Sequence, residues 1–235
     1  MMDRVERARR DPRLAVLEGF HALKHALRFG AEVELVLARD PEALEELART
    51  LAPDLAGWFR ELAVPAPADA QLPPTGVIAV ARRRVVTPHG ILVSRRDAPV
   101  VLLEEPRHLG NVGAVVRVAA AADAAGVLTT GRCDPWDPAA IRGSAGLHFA
   151  VPVARVGDFD PRERPLVALD PDGEPLAVLP RGAVLAFGTE RHGLSAELRE
   201  RADARVAIPM RDGVSSLNLA TAVAVVLFSG RLPRR

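Results

Sequence analysis

The stretch Ile208–Phe228, IPMRDGVSSLNLATAVAVVLF, decides the fold. Val206 and Ile208 read as the end of a short apolar strand that breaks at Pro209. The chain then turns through Asp212-Gly213, presents Ser215-Ser216, and enters an apolar helix with one asparagine, Asn218, in its first turn. A strand-turn-helix junction points backbone N–H groups and small polar side chains into one crevice, and in open α/β sheets ligands bind in such crevices. The same residues also suit a tight turn into a buried C-terminal helix, so earlier stretches have to decide between a site and a plain connection.

That helix is apolar or small on every face, through Leu219, Ala220, Ala222, Val223, Ala224, Val225, Val226 and Leu227, with Thr221 and the ends as its polar positions. A surface helix carries a polar stripe. One sheet covers one face, so the remaining faces are expected to meet another helix or a second subunit, and a homodimer is expected.

Upstream, strands and helices alternate. Val100–Leu103 reads as a buried strand, Gly113–Ala125 as a helix capped by Asn111, Val127–Thr129 as a strand and Pro138–Ser144 as a short helix. Val151–Val153, Leu166–Leu169 and Ala183–Phe187 read as strands, Ser195–Ala202 as a helix, Arg205–Ile208 as a strand and Asn218–Ser229 as the last helix. Such alternation predicts an α/β fold with a parallel sheet covered on both faces. The earlier residues give a smaller unit: a helix Leu14–Phe29, a strand Glu32–Leu37, a helix Glu42–Leu51 led by Asp40-Pro41, a helix Leu55–Leu62 with Trp58 expected in the core rather than as a base-stacking platform, and a strand Gly76–Val80. Arg82-Arg83-Arg84 follows, a phosphate contact or a solvated edge. Thr87–Pro99 reads as a linker, which predicts two domains, residues 1–96 and 97–235.

Composition narrows the function classes. The chain has 235 residues, 49% hydrophobic and 26% charged, with a net charge of +1. A nucleic-acid site therefore has to be a local patch rather than a whole-molecule field. Cys133 is the single cysteine, which excludes a disulfide framework or a cysteine zinc site within one chain. No His/Asp/Glu cluster has metal-ligand spacing, so no metal is expected. The start, MMDRVERARRDP, has no apolar core, and no run approaches transmembrane length. The expectation is a soluble, cytoplasmic protein with no membrane partner.

Two more stretches carry chemistry. In Asn111-Val112-Gly113-Ala114-Val115-Val116-Arg117, a strand gives way to a helix, and Gly113 permits close approach of a ligand or a second backbone. Arg117 lies one turn further on the same face. Packing does not need an arginine in an Ala/Val-rich helix, so, buried or half-buried, it wants an anion such as phosphate; the alternative is an arginine reaching out along a sheet edge. In Phe187-Gly188-Thr189-Glu190-Arg191-His192-Gly193-Leu194-Ser195, two glycines frame a loop rich in backbone donors and acceptors, suited to wrap a purine. It lacks the Gly-Lys-Ser/Thr of a P-loop and the GxGxxG of a dinucleotide fold.

In order and spacing, the three stretches resemble the SpoU/TrmH family of RNA ribose 2′-O-methyltransferases, of the SPOUT class. The family pattern Asn-x-Gly-x-x-x-Arg is met by Asn111, Gly113 and Arg117. Gly-x-Glu-x-x-Gly is met by Gly188, Glu190 and Gly193, and Ile-Pro-Met…Ser-x-Asn by Ile208, Pro209, Met210, Ser216 and Asn218. DPWDPAAIRGSAGLHFAVPV also looks like the family's inter-motif region, and LEGFHALKHALRFGAEVELVLARD like its small α/β RNA-binding domain of ribosomal-protein type. One departure is that the usual Asp-Pro before the first motif is here Glu105-Pro106, slightly further upstream.

The resemblance implies a trefoil-knotted methyltransferase domain that binds S-adenosylmethionine, preceded by the RNA-binding domain, and acting as a homodimer on a ribose 2′-hydroxyl of ribosomal RNA. Transfer RNA as substrate, a base methyltransferase, and a non-catalytic RNA-binding member are the alternatives. It further implies that backbone groups of Gly188, Ile208 and Leu217 hold the adenosyl part, with Thr189 and Met210 beside them. Arg117 is the implied catalytic residue, with Asn111, Glu190, Ser216 and Asn218 at the reaction centre.

Overall fold

Contacts divide the chain into two units, Met1–Val85 with Trp136–Ala150, and Val86–Pro135 with the residues from Val151 on. The computed structural model describes residues 1–161, 164–189 and 192–229.

The first unit begins with helix α1 (Met2–Ala8), strand β1 (Leu14–Glu18), helix α2 (Phe20–Arg28) and strand β2 (Val33–Ala38). Helices α3 (Pro41–Leu51) and α4 (Ala56–Leu62) and strands β3 (Ala63–Pro65) and β4 (Val77–Arg82) complete it. The strands form one mixed sheet in the order β1-β4-β2-β3 around Val16, Leu37, Ile78 and Val80. The expected helix Leu14–Phe29 is thus a strand and a helix. The break is Gly19, whose φ of +98° no helix accommodates and few side chains tolerate. Elsewhere local chemistry acts as expected: the Asp40 carboxylate caps α3 by accepting from the Ala43 N–H at 2.9 Å. Trp58 does not enter the core. It is 55% exposed, because α4 turns Phe59 inward instead, next to Leu55 in the turn before it.

In the second part of the chain come α5 (Pro88–Val93), β5 (Val100–Leu103), α6 (Leu109–Ala121) and β6 (Gly126–Thr129). Trp136–Ala150, with α7 (Pro138–Gly143), then returns to the first unit before β7 (Val153–Arg155), β8 (Leu166–Pro175) and β9 (Val184–Phe187). Helix α8 (Ala196–Glu200), β10 (Ala204–Ala207) and α9 (Leu219–Ser229) follow. The expected linker therefore contains a helix, α5, capped by the Thr87 hydroxyl, which accepts from the Gly90 N–H at 2.9 Å. The six strands are parallel, in the order β10-β8-β9-β5-β6-β7. Every residue of β5, β6 and β9 is buried, as a sheet covered on both faces requires. Among the described residues no helix is long and apolar enough to cross a membrane.

Within the first unit, Trp136–Ala150 is bound tightly. Trp136 packs its ring against His148 and Phe149, at 5.1 and 5.3 Å between centroids. Arg142 reaches Glu18 at 2.6 Å, and the His25 Nδ1–H donates to the Ala145 carbonyl at 2.7 Å. Burial pushes the His25 imidazole below its ordinary pKa, and the Ala145 carbonyl offsets part of that.

Candidate active site

At the carboxyl ends of β8, β9 and β10 the chain opens a cavity of about 620 Å³. Parallel sheets place ligands at this edge, and the volume lies in the range of small-molecule and cofactor sites.

Its first wall is the loop after β9. The Thr189 N–H donates to the Gly193 carbonyl at 3.1 Å, and the Gly193 N–H returns to Thr189 at 3.0 Å. The Thr189 hydroxyl also accepts from the His192 N–H at 3.1 Å. This closed loop needs Gly188, since a Cβ there would enter the backbone of Gly193 and Leu194. The residue's requirement is thus one of backbone against backbone. Behind the loop, Ser195 caps α8 and is itself held by Glu104, whose carboxylate accepts from the Ser195 N–H at 2.7 Å and hydroxyl at 2.6 Å.

The opposite wall is the segment from Ile208 to Asn218. Ile208 and Met210 follow β10, the chain turns at Asp212-Gly213, and Ser215, Ser216 and Leu217 run irregularly into α9. Asn218 sits at the start of α9, where its side-chain carbonyl accepts from the N–H groups of Ala220 at 3.0 Å and Thr221 at 3.4 Å. Its amide nitrogen donates to Asn111 Oδ1 at 3.3 Å. That contact joins α9 to α6, helices that pack against each other.

Of the residues singled out in the sequence, Gly188, Thr189, Ile208, Met210, Ser216, Leu217 and Asn218 line the cavity. Asn111 meets it through Asn218. Asn111 does not cap α6, which begins two residues earlier at Leu109 with His108 before it. Arg117 lies on α6 as an exposed side chain, as in the alternative of an outward-reaching arginine and not the buried or half-buried one, and is not among the lining residues. Glu190 lies outside the described residues. Sequence reasoning missed Leu169, Asp170, Pro171 and Asp172 in the irregular middle of β8 and Arg199 on α8, all of which line the cavity. The Asp-Pro-Asp-Gly run from 170 to 173 was their available signal, since such runs mark turns.

The lining suits a flat neutral base joined to a small charged tail. Phe187, Leu194, Ile208, Leu217 and Leu219 supply apolar surface, while the Thr189–Gly193 loop and the Ser215–Leu217 run supply backbone groups and small hydroxyls. S-adenosylmethionine meets that description. Among the described residues, no group of three or more His, Cys, Asp or Glu is placed to hold a metal ion.

Comparison with known proteins agrees with this geometry. The model of the SpoU rRNA methylase family matches residues 98–228. A 23S rRNA (uridine(2479)-2′-O)-methyltransferase of Streptomyces viridochromogenes is 31% identical over 150 residues, covering 57% of this chain and 52% of that protein. Among solved structures, the SpoU methyltransferase AviRb of the same organism, in complex with the cofactor AdoMet, is 27% identical with a TM-score of 0.74, over 96% of this chain and 90% of that one. An RNA 2′-O ribose methyltransferase structure is 27% identical with a TM-score of 0.72, over 97% and 95% of the two chains. The chain spans about half the length of the curated relatives it matches.

Proposed function

Because the chain belongs to the SpoU rRNA methylase family, we propose that it transfers a methyl group from S-adenosylmethionine to a ribose 2′-hydroxyl of ribosomal RNA. The observation that carries this reading is the meeting of the second and third motifs at one cavity, with the first motif hydrogen-bonded to its rim. The Gly188–Gly193 loop and the Ile208–Leu217 run face each other across it, and the Asn218–Asn111 hydrogen bond ties the first motif to its rim.

The donor, when bound, supplies an electrophilic methyl group. The protein's task is then to hold the donor and to make a poor nucleophile reactive. Backbone groups of Gly188, Ile208 and Leu217, with Thr189 and Met210, would hold the adenosyl part, and Ser216 and Asn218, on the same wall, would serve the methyl group. As the oxygen–methyl bond forms and the methyl–sulfur bond breaks, the donor would leave as a neutral thioether and the ribose hydroxyl must give up its proton to solvent. Arginine side chains stay protonated in proteins, which favours Arg117 as the cation that stabilises the developing alkoxide. Asn111 is tied to Asn218 by its side-chain hydrogen bond, and Asn111 and Glu190 are the other residues assigned to the reaction centre.

Two further features belong to this reading. Helix α9 leaves Val225 39% exposed in an otherwise apolar helix, and Arg117 stands outside the cavity wall. Both are accounted for by a homodimer in which this helix lies at the interface and Arg117 completes a site shared by two subunits. Within each subunit the Gly188–Gly193 and Ile208–Asn218 segments form the trefoil knot, and the N-terminal unit adds RNA affinity rather than chemistry.

The test is transfer of labelled methyl to ribosomal RNA, followed by mapping of the product. Ribose methylation protects the adjacent phosphodiester from alkaline cleavage; label on a base, or no transfer with the donor bound, defeats the assignment. Sedimentation that finds a fully active monomer at nanomolar concentration defeats the shared site.

A further inference from the structure

Strand β8 does not keep register with its edge neighbour β10. Ala204 and Arg205 pair with Val167 and Ala168, whereas Val206 and Ala207 pair with Glu174 and Pro175. The residues between, Leu169–Gly173, are looped out of the ladder, and Leu169 through Asp172 form part of the cavity wall. A looped-out segment has given up its strand partners and needs other restraints to hold one shape.

Two restraints are present. Gly173 lies so close to β10 that a Cβ would come within 2.6 Å of the Arg205 carbonyl carbon and the Val206 nitrogen. The other is Asp170, whose side chain is 4% exposed. Its Oδ2 accepts from Arg205 Nη2 at 2.8 Å and Nε at 3.1 Å, and its Oδ1 accepts from the Asp172 N–H at 3.1 Å. Arg199 Nη1, from α8, stands 3.8 Å from the same Oδ2. One carboxylate thus folds its own turn, ties that turn to β10, and draws in a cation from α8. Both arginines remain partly exposed, so the carboxylate is the buried member of the group. A buried charge held this way is costly to leave unpaired, so the geometry is strongly specified.

We propose that Asp170, which belongs to none of the three motifs, is a positioning residue for the methyl donor: through Arg205 it holds the Leu169–Asp172 wall in the shape that receives the cofactor. Its charge is taken up by Arg205 and Arg199, so it acts on the donor through the wall and not as a counter-ion. This rests on the reading that S-adenosylmethionine occupies the cavity.

The experiment is calorimetric titration of the full chain with S-adenosylmethionine, together with methyl-transfer kinetics, for the wild type, Asp170→Asn, Arg205→Ala and the double variant. Asparagine keeps the size of the side chain and the acceptor for Asp172, and removes the charge that holds Arg205. Expected are rises of about tenfold or more in donor Kd and KM for each single variant, with kcat at saturating donor within about threefold. The double variant should be no worse than the weaker single, because both residues act through one contact. Arg205→Lys, which keeps the charge and gives up the second N–H, should fall between wild type and Arg205→Ala and serves if Asp170→Asn does not fold. A donor Kd within about twofold of wild type in the folded variants, additive losses in the double, or a fall in kcat at unchanged KM overturns the proposal. Failure of the wild type to bind the donor would instead remove the functional reading beneath it.

Discussion

The two edges of the six-stranded sheet treat their backbone groups in opposite ways. At the amino edge, ahead of β5, β8 and β9, Arg164 is 4% exposed and lies among carbonyls. It donates to Leu92 at 2.6 Å, Ala98 at 2.8 Å, Gly182 at 2.9 Å and Ser94 at 2.5 Å, with Arg95 at 3.3 Å. Burial lowers its pKa from the ordinary arginine value, and the guanidinium keeps its charge because the fork of donors is so fully used. At the carboxyl edge the strands run out into Leu169–Asp172, the Gly188–Gly193 loop and the irregular Ser215–Leu217, around open space. One edge is closed by a single cation; the other is left open for a ligand. Parallel strands make this division available, since every loop that follows a strand lies on the same side.

If the division is sound, changes at one edge should cost function and changes at the other stability. The largest effect is expected from Arg117→Ala: a loss of about a thousandfold in the methyl-transfer rate at saturating donor, with donor Kd within a few-fold of wild type by calorimetry. Near-normal turnover would remove the role assigned to Arg117. Next, Arg164→Met should cost about 3 kcal/mol in urea unfolding, since it leaves buried carbonyls without donors. In the protein that remains folded, donor affinity should be unchanged, and a collapse of donor binding would show that the two edges are not separate.

Gly188→Val should weaken donor binding by about a hundredfold, equivalent to about 2.7 kcal/mol, while the denaturation midpoint moves little. The added side chain displaces the Gly193 backbone and so reshapes the loop, which is a different route from filling the ligand's own space. Wild-type affinity in a folded Gly188→Val protein would mean the loop is not part of the site. The smallest effect is expected at His25, in the other unit, where neither edge is involved. Its folded pKa lies below its unfolded value, so the folded state binds fewer protons. Its contribution is intact above about pH 6.5 and is lost as the pH falls toward and through the folded pKa. A His25→Asn variant should therefore show a flatter melting temperature between pH 7 and pH 5 than wild type; equal slopes would exclude His25 as the cause.

The sequence was most legible where backbone geometry forces residue choice. The glycines of the Gly188–Gly193 loop, Pro209, and Asn218 at the head of α9 each answer a local constraint, so they stand out in the chain. So do the buried strands β5, β6 and β9, which have no polar face to confuse their reading. Illegible parts were set by partners distant in sequence. Leu14–Glu18 has helix-like spacing by coincidence and becomes a strand because β4 is there to pair with it. Trp58 reads as core until α4 is seen to turn Phe59 inward instead. The register jump that makes Asp170 part of a cavity wall exists only between β8 and β10, and no window on either strand contains it.

The chain passes from the first unit to the second at residue 85, back at 135, and over again at 150. The gene order is therefore not the order of the modules. A recombination event or a designed chimera that exchanges the N-terminal unit at one crossover carries away Glu18 and His25 but leaves their partners Arg142 and Ala145 with the recipient. Exchange of the first unit between relatives of this architecture has to move two separated segments together. Trp136–Ala150 should accordingly change in step with residues before 86, and not with the second-unit segments that flank it on both sides.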